Sequence, residues 1–319
     1  MEEELFISGR NIPNIDPSLQ VWHWPISLYL FLGGLAAGIL FFAALFYLLG
    51  KDKEYPVAVK VASIIPPIAL SVGLLALVYD LTHKLYTWQL YMTVRIESPM
   101  SWGAWVLLIV TPISFMWTFS YYREVYPKLE AKLQVFKRLK FLNSVEKFVI
   151  DNRKYLAIAL IPLTLILGVY TGILLSAFNA RPLWNNAILG PLFLTSGLST
   201  AAAAIILLSK TSKEKHMFGK IDLALITIEL ALIVHMIMGY YAGPEVQVEA
   251  MQLLVGGEFT VMFFGFVVLL GLIVPGILEL LDVFKYKVPV FVPAILVLIG
   301  GIVFRFVMVE AGQLTRYLY

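Results

Sequence analysis

The sequence predicts an all-α integral membrane protein with eight transmembrane helices and both chain ends outside the cytoplasm. Of its 319 residues, 60% are hydrophobic and 14% are charged, against about 45–50% and about 25% in soluble domains. Long apolar segments recur along the chain without the two-residue alternation of membrane β-strands. Basic residues collect in every second loop. Lipid must be the solvent for most of the chain, because a water-exposed surface could not be covered by so few polar groups.

Eight segments are long enough to cross a bilayer as helices, since about 20 apolar residues span a hydrocarbon core of about 30 Å. In chain order these segments are residues 27–49, 57–79, 101–121, 155–178, 187–208, 221–241, 258–281 and 288–310. The third and fifth segments contain no charged residue at all. Uncharged runs of this length are typical of membrane-spanning helices rather than of buried helices in a soluble core.

Lysine and arginine are divided unevenly between the two sets of loops. Eighteen of the 24 follow the first, third, fifth and seventh segments, and six lie on the other side. Because cytoplasmic loops carry the excess of positive charge, the eighteen are expected in the cytoplasm. This orientation puts both termini outside, which requires an even number of spans. It also predicts a multi-pass protein of the plasma (inner) membrane.

The segments divide the chain into four parts and two halves. The parts are an extracytoplasmic N-terminal segment (1–26), helices 1–3 (27–122), a basic amphipathic connection on the inner leaflet (123–154) and helices 4–8 (155–319). The first half contains GGLAAG at residues 33–38, and the second contains the similar SGLSTA at residues 196–201. This similarity favours two four-helix bundles, at 1–178 and 187–310.

The outer ends of the predicted helices are rich in aromatic and polar residues. Six of the seven tryptophans lie there, whereas an aromatic belt would serve both membrane interfaces. The asymmetry predicts that something binds or docks at the outer face. A quinone fits, because it needs a flat apolar slot, a donor for each carbonyl and a path for protons. We expect Asp80 and His83 to handle the proton, Arg181 to polarise a carbonyl, Tyr29 to add a polar contact, and Trp102 and Trp184 to wall the slot, with Asn179 nearby in the same cluster.

Ionisable residues within membrane spans are costly and mark candidate functional sites. Asp222 and Glu229 are seven residues apart, on one face of the sixth segment, and His235 lies nearer its outer end. With Arg305 of the eighth segment, they predict a proton relay from the cytoplasm towards the outer site. The alternatives are a protonated Glu229 that hydrogen-bonds between helices and an Arg305 that snorkels to the interface.

The complete lack of cysteine excludes disulfides, thiolate metal sites, iron–sulfur clusters and cysteine nucleophiles within this chain. His83 and His235 are the one plausible axial pair for a haem among four histidines. A b-type haem anchor therefore stays an alternative to a quinone-reactive protein. So does a secondary transporter, which would bring polar, Pro-broken helices together at mid-membrane. A third alternative is a structural tether without quinone chemistry.

Five motifs give the sequence a specific resemblance. They are WHWPISLYLFLGGLAAG (22–38), SPMSWGAW (98–105), YTGILLSAFNARPLWN (170–185), FLTSGLSTAAA (193–203) and FRFVMVEAGQ (304–313). With them the chain resembles the NrfD/PsrC family of quinone-reactive membrane subunits of polysulfide-reductase-like respiratory oxidoreductase complexes. The resemblance implies menaquinone or ubiquinone as cofactor and no haem or metal of the subunit's own. It also implies an outer partner with four [4Fe–4S] clusters in a ferredoxin-like subunit, itself bound to a molybdopterin catalytic subunit.

The resemblance also implies which residues surround the quinone head. By position they are Trp22, His23, Trp24, Tyr29, Asp80, Arg181 and Glu310. One departure concerns the first turns of the first helix, where members of the family often have Asn and His but this chain has Ile26 and Tyr29. Tyr29 or His83 is expected to supply the missing hydrogen-bond donor.

Overall fold

The computed structural model describes residues 22–125, 127, 140–286 and 288–315. Eight helices in it are long and apolar enough to cross a membrane. We call them α1 (Trp24–Leu48), α2 (Val57–Asp80), α3 (Pro99–Val125), α4 (Arg153–Ser176), α5 (Leu189–Leu208), α6 (Ser212–Tyr241), α7 (Val261–Val283) and α8 (Phe291–Leu314). The described residues contain no β-strand. The prediction of an all-helical, eight-span membrane protein is therefore confirmed.

The largest difference from the predicted spans concerns α6, which begins at Ser212 rather than at residue 221. Its first turns are polar, and they continue the helix beyond the hydrocarbon length that hydropathy detects. Shorter helices occupy three connections, at Gln89–Met92, Lys140–Asp151 and Glu245–Gln252. Residues 1–21 of the predicted N-terminal segment, and residues 126 and 128–139 of the predicted basic connection, lie outside the described residues.

We call α1–α4 the first helix group and α5–α8 the second, following their order in the chain. In the first group α1 packs on α2 and α4, and α3 packs on α4. In the second group α5 packs on α6 and α8, and α7 packs on α8 and α6. The groups meet where α1 contacts α5 and α8, and where α4 contacts α5. Because α1 takes part in both groups, it is among the most buried of the eight spans.

Both ends of the described chain lie at one face of the helix array. The Trp22 backbone N–H donates to Gln313 Oε1, and Gln313 Nε2 donates to the Trp22 carbonyl oxygen, each at 2.8 Å. We call this the aromatic face; it also carries the loops 81–98, 177–188 and 242–260. The opposite face, which we call the basic face, carries the loop residues 49–56, 209–211, 284–286 and 288–290 and the helix Lys140–Asp151.

Two spans contain segments that are not regular α-helix. Helix α2 begins with a π-helical turn at Val57–Val61 and a 3₁₀ turn at Ala62–Ile64 before its α-helical part starts at Ile65. Pro66 and Pro67 follow directly. A proline has no N–H to donate to the preceding turn and its ring clashes with that turn's carbonyl, so the turn before this pair cannot close as regular α-helix. In α7 the segment Val261–Ile273 is π-helical.

The two groups are joined by a backbone-to-backbone crossing of α1 and α5. A Cβ atom on Gly38 would lie 2.5 Å from Ala201 Cβ and 2.6 Å from the Gly197 carbonyl oxygen. A Cβ atom on Gly197 would lie 2.9 Å from the Gly34 carbonyl oxygen. These residues belong to GGLAAG and SGLSTA, so the two similar segments pack directly against each other. Small residues allow this approach, which favours helix association where lipid removes the hydrophobic driving force.

Adding one methyl group at the crossing should therefore destabilise the protein. We expect Gly38→Ala to lower the free energy of unfolding by about 1–3 kcal/mol, the usual cost of overpacking. The measurement is the unfolding transition of the detergent-solubilised protein. Gly239→Ala is the matched control, because a Cβ atom there meets nothing within 4 Å. An equal stability of the two variants would contradict a tight crossing.

Candidate functional site

A cavity of about 160 Å³ lies at the aromatic-face end of the first helix group. Helices α1, α2, α3 and α4 and the short helix Gln89–Met92 surround it. Its polar or aromatic lining residues are Trp22, Tyr29, Asp80, Thr82, Tyr91 and Tyr170. The apolar lining residues are Ile26, Leu77, Leu81, Leu90, Met100, Ala104, Leu107 and Leu174. A cavity of about 150 Å³ with apolar walls accommodates one benzene molecule, so this space is sufficient for one six-membered ring.

The cavity contains a carboxylate that is connected to solvent. Asp80 is the last residue of α2, and His23 immediately precedes α1. Their helices are antiparallel neighbours, so the two residues meet at the aromatic face. His23 Nδ1 lies 3.1 Å from Asp80 Oδ1; the Asp80 side chain is 7% exposed and the His23 side chain 65% exposed. The pair therefore joins the interior of the cavity to water.

Three tyrosines also line the cavity. Tyr29 of α1 and Tyr170 of α4 are both buried, and their side chains interact directly. Tyr91, on the short helix, interacts with both. Burial raises the pKa of Tyr91, so its hydroxyl is a hydrogen-bond donor at neutral pH.

The position of Tyr170 depends on Gly103. A Cβ atom on Gly103 of α3 would lie 1.9 Å from Tyr170 Cζ and 2.2 Å from its hydroxyl oxygen. The glycine thus makes room for the end of the ring, and the hydroxyl can reach the cavity between α3 and α1. Neither Gly103 nor Tyr170 is ionisable near neutral pH. A search of the sequence for charged residues within the spans therefore finds neither of them.

A wider groove of about 500 Å³ continues outward from the cavity. The two share Leu81, Thr82, Leu90 and Met100 as lining residues. His83 lines the groove but not the cavity, together with Arg95 and Ser98. The predicted His83 therefore lies at the entrance of the cavity, whereas Asp80 lies inside it.

Arg181 and Trp184 lie apart from the cavity, in the α4–α5 loop. Arg181 Nη1 donates to the carbonyl oxygens of Gln313 and Thr315 at the end of α8. Trp184 Nε1 donates to the Met308 carbonyl oxygen at 2.7 Å. Both side chains thus hold the C-terminal end of α8 against this loop. Trp184 still approaches the cavity indirectly, since its ring centroid lies 5.2 Å from that of Trp22, which lines the cavity.

The remaining predicted residues of the outer face lie elsewhere. Trp102 lines an apolar surface groove between α3 and α4, and its Nε1 donates to the Ile96 carbonyl oxygen at 2.6 Å. It is on the side of α3 opposite to Met100 and Ala104. Asn179 and Glu310 are exposed at the aromatic face. None of these three lines the cavity.

Arg305 is completely buried at the middle of α8. Its Nη1 donates to Ser196 Oγ and to the Gly301 carbonyl oxygen, and its Nη2 donates to the Phe193 carbonyl oxygen at 3.1 Å. Glu229 of α6 is buried too and interacts with both Arg305 and Ser196. The Ser196 hydroxyl therefore bridges the two charges. This arrangement differs from a snorkelling arginine, whose guanidinium would extend to the interface.

Asp222 lies about 10 Å from Glu229 along α6, towards the basic face, given the helical rise of 1.5 Å per residue. It is fully buried, and Ser199 Oγ donates to its Oδ1 at 2.5 Å. His235 is on α6 as well, but its side chain is exposed on the outside of the helix array. Of the four residues predicted for the proton relay, the structure thus brings Glu229 and Arg305 together and leaves His235 apart.

Among the described residues no group of three or more His, Cys, Asp or Glu side chains is arranged to hold a metal ion.

The Gln313–Trp22 contact leads to a prediction that is independent of any ligand. Gln313→Ala removes both hydrogen bonds to the Trp22 backbone, each with a typical net value of about 1 kcal/mol. We expect the Trp22 amide proton to exchange with solvent about tenfold faster or more, as measured by hydrogen–deuterium exchange in detergent. Gln252→Ala, at an exposed glutamine of the same face, should leave that rate unchanged. If the Trp22 amide proton of the Gln313→Ala variant exchanges as slowly as in the unsubstituted protein, this contact does not hold the chain end.

Comparison with known proteins gives consistent matches along the chain. Residues 12–316 match the sequence model of the family described as Polysulphide reductase, NrfD. Protein NrfD of Escherichia coli (strain K12) is 30% identical over 311 residues, which cover 92% of this chain and 96% of the relative. The C subunit of polysulfide reductase from Wolinella succinogenes is 30% identical over 314 residues, covering 92% and 94%. The Protein NrfD homolog of Haemophilus influenzae is 29% identical over 317 residues, covering 95% and 98%.

Proposed function

The chain belongs to the NrfD family of polysulphide reductase membrane proteins, and from that membership we propose that it exchanges electrons between a membrane quinone and an iron–sulfur partner subunit. As a family member with a polysulfide reductase subunit among its relatives, it is a membrane subunit of a respiratory oxidoreductase. The observation that carries the finer proposal is the ring-sized cavity in which Asp80 is joined to solvent by His23.

The residues of the cavity fit a quinone head group. Its walls are mostly apolar, its volume suits one ring, and both acidic and phenolic side chains line it. A bound quinone or quinol supplies the redox chemistry, in which two electrons and two protons are gained or lost at its two oxygen atoms. Menaquinone and ubiquinone both present this arrangement of two oxygens on one ring.

The side chains of the cavity would bind and orient the ring and move its protons. With the ring bound, Asp80 would accept a proton from it, and His23 would pass that proton to water at the aromatic face. The hydroxyls of Tyr29, Tyr170 and Tyr91 would be available to donate hydrogen bonds to the ring. Trp22 would cover the ring from the side of the chain end. Positioned acid–base groups of this kind typically contribute 10²–10⁴-fold to a rate.

Several residues around the cavity would act without touching the ring. Arg181 and Trp184 hold the end of α8 and, through Trp22, one wall of the cavity. They are positioning residues in this proposal. His83 lies at the entrance. Asn179, Trp102 and Glu310 are exposed at the same face, where they are available for contact with a partner.

The electron partner would dock on the aromatic face, close to the cavity. The chain has no cysteine and therefore holds no cysteine-ligated iron–sulfur cluster, so electrons must leave through another subunit. We expect a ferredoxin-like subunit with four [4Fe–4S] clusters in that position and a molybdopterin catalytic subunit beyond it. The excess of lysine and arginine at the opposite face supports an extracytoplasmic location for the docking face in the plasma membrane.

The buried charges of the second group would form a proton path from the basic face. Asp222 and Glu229 follow each other along α6, and Ser196 links Glu229 to Arg305. Arg305 in turn reaches α1, the helix that carries Tyr29. A Cβ atom on Gly34 of α1 would lie 3.4 Å from Arg305 Nη2, its nearest neighbour. His235 does not belong to this path in our proposal, because its side chain is on the outside of α6.

Asp80→Asn should reduce quinol oxidation by the intact complex by about 10²–10⁴-fold. The amide keeps the size of the side chain but cannot take a proton from the ring. The measurement is quinol-linked turnover in membranes, with the amount of assembled complex determined in parallel. His23→Gln should give a smaller loss, because water can replace an exposed proton carrier.

Glu258→Gln is the matched control for Asp80→Asn, since Glu258 is an exposed acid in the 242–260 loop of the same face. It should assemble and turn over normally. Unchanged quinol kinetics in Asp80→Asn, with the complex assembled, would refute the assignment of the cavity.

Glu229→Gln tests the proton path separately from the quinone site. We expect quinol oxidation to continue and proton uptake from the basic face to be lost, since an amide cannot relay a proton. The measurement uses the complex in vesicles with a pH-sensitive dye. Because the substitution leaves Arg305 without its counter-charge, the double variant Glu229→Gln/Arg305→Gln serves as a charge-balanced companion. If both variants keep turnover and proton translocation, Glu229 is a structural residue.

A further inference from the structure

A second acidic residue lies beside Asp222, on a different helix. It is Glu279 of α7, which is 4% exposed. Both of its carboxylate oxygens are buried without a donor, as is Oδ2 of Asp222. Buried polar atoms are nearly always hydrogen-bonded, so three such atoms in two neighbouring side chains require an explanation.

The two carboxyl groups interact directly with each other. Ionised carboxylates only accept hydrogen bonds, and two of them at one site cannot both keep their charge. One proton between Asp222 and Glu279 removes the repulsion and joins two of the three oxygen atoms in a hydrogen bond. Ser199 of α5 donates to the remaining Asp222 oxygen, and a hydroxyl donor stabilises the anionic partner of such a pair.

The buried pair has a connection to water at the basic face. Asp282 follows Glu279 by three residues on α7, which puts both on one side of the helix, and the two carboxyl groups interact. His216 of α6 approaches Asp282 from the next helix, with 3.0 Å between Nδ1 and Oδ2. The His216 side chain is 42% exposed, so it is in contact with solvent.

The groups that interact with the pair come from α5, α6 and α7. Glu229 lies on the same helix as Asp222 and interacts with it. Asp282 accompanies Glu279 on α7, and α5 contributes the neutral Ser199. Within the described part of the chain, the titratable neighbours that interact with the pair are therefore acidic, which favours retention of a proton.

We propose that Asp222 and Glu279 share one proton and act as a loading site that fills from the basic face through His216 and Asp282. This inference extends the proton path proposed above, because it adds an entrance and a storage site for protons between the basic face and Glu229. The presence of the shared proton does not depend on the quinone cavity.

The transfer conserves the proton at each step. His216 takes a proton from water and passes one to Asp282, which returns to its ionised form when Glu279 becomes protonated. The proton between Glu279 and Asp222 moves on when Glu229 accepts it, and the pair is then free to load again. No bond other than N–H and O–H bonds forms or breaks.

The shared proton can be observed directly by infrared spectroscopy of the full-length chain in membranes. A protonated carboxyl group has a carbonyl absorption distinct from that of a carboxylate, and this absorption shifts in D₂O. We expect such a band at neutral pH, and we expect both Glu279→Gln and Asp222→Asn to abolish it, because the new amide replaces the shared proton as donor. Asp151→Asn is the control, since Asp151 is an exposed acid at the basic face, and should leave the band unchanged.

Two results of this experiment would overturn the shared proton. One is the lack of any carboxyl band that depends on these residues. The other is a band that only one of the two substitutions removes, since that would indicate a single protonated acid.

The entrance is tested by the rate at which the same band shifts after D₂O is added at the basic face. We expect His216→Gln and Asp282→Asn to slow this exchange by about 10²-fold, the lower range for a positioned proton carrier, while the intensity of the band is unchanged. Exchange at the rate of the Asp151→Asn control would refute the entrance. Failure of the quinone proposal would appear instead as normal quinol kinetics in Asp80→Asn, with this band intact.

Discussion

The crossing of α1 and α5 is the contact on which the rest of the structure depends. At Gly38 and Gly197 the two backbones approach so closely that a Cβ atom would overlap the facing helix. Gly34 and Gly301 adjoin the Arg305 guanidinium, whose nitrogens lie 3.4–3.8 Å from the places where the Cβ atoms of these two glycines would be. A buried arginine is costly in a membrane, and here its two terminal nitrogens donate hydrogen bonds to Ser196, Phe193 and Gly301.

The crossing also separates two sets of polar side chains, one in each helix group, and brings the nearest members of the two sets close to each other. The cavity with Asp80 and the tyrosines lies in the first helix group, at the aromatic face. The buried acids Asp222 and Glu279 lie in the second group, towards the basic face. Arg305 is at the boundary, next to the helix that carries Tyr29. In our proposal, this geometry separates quinone chemistry at one face from proton supply at the other. The charges at mid-membrane, which a transporter would also need, serve the redox protein in that proposal.

Much of the fold was predictable from sequence because a membrane span is a property of one continuous segment. The lengths and positions of seven spans follow from hydropathy, whereas the polar start of α6 extends beyond what hydropathy detects. Of the candidate site, Trp22, His23, Tyr29 and Asp80 come together in the structure. Tyr91 and Tyr170 were missed because neutral hydroxyls do not stand out among the polar residues of a membrane protein. Glu279 was missed because it lies near the end of its span, where an acid is common.

The sequence alone determined the membrane environment, the number of spans, the charge difference between the faces and, through its motifs, the family. These features depend only on the order and type of residues along the chain. The tertiary structure decided which side chains share a site, because that depends on the rotation of each helix about its axis. Arg181 and Asp80 are both at the aromatic face, yet Arg181 binds the end of α8 and Asp80 faces the cavity. In the same way, the packing of α6 against α7 pairs Asp222 with Glu279, although 57 residues separate them in the sequence.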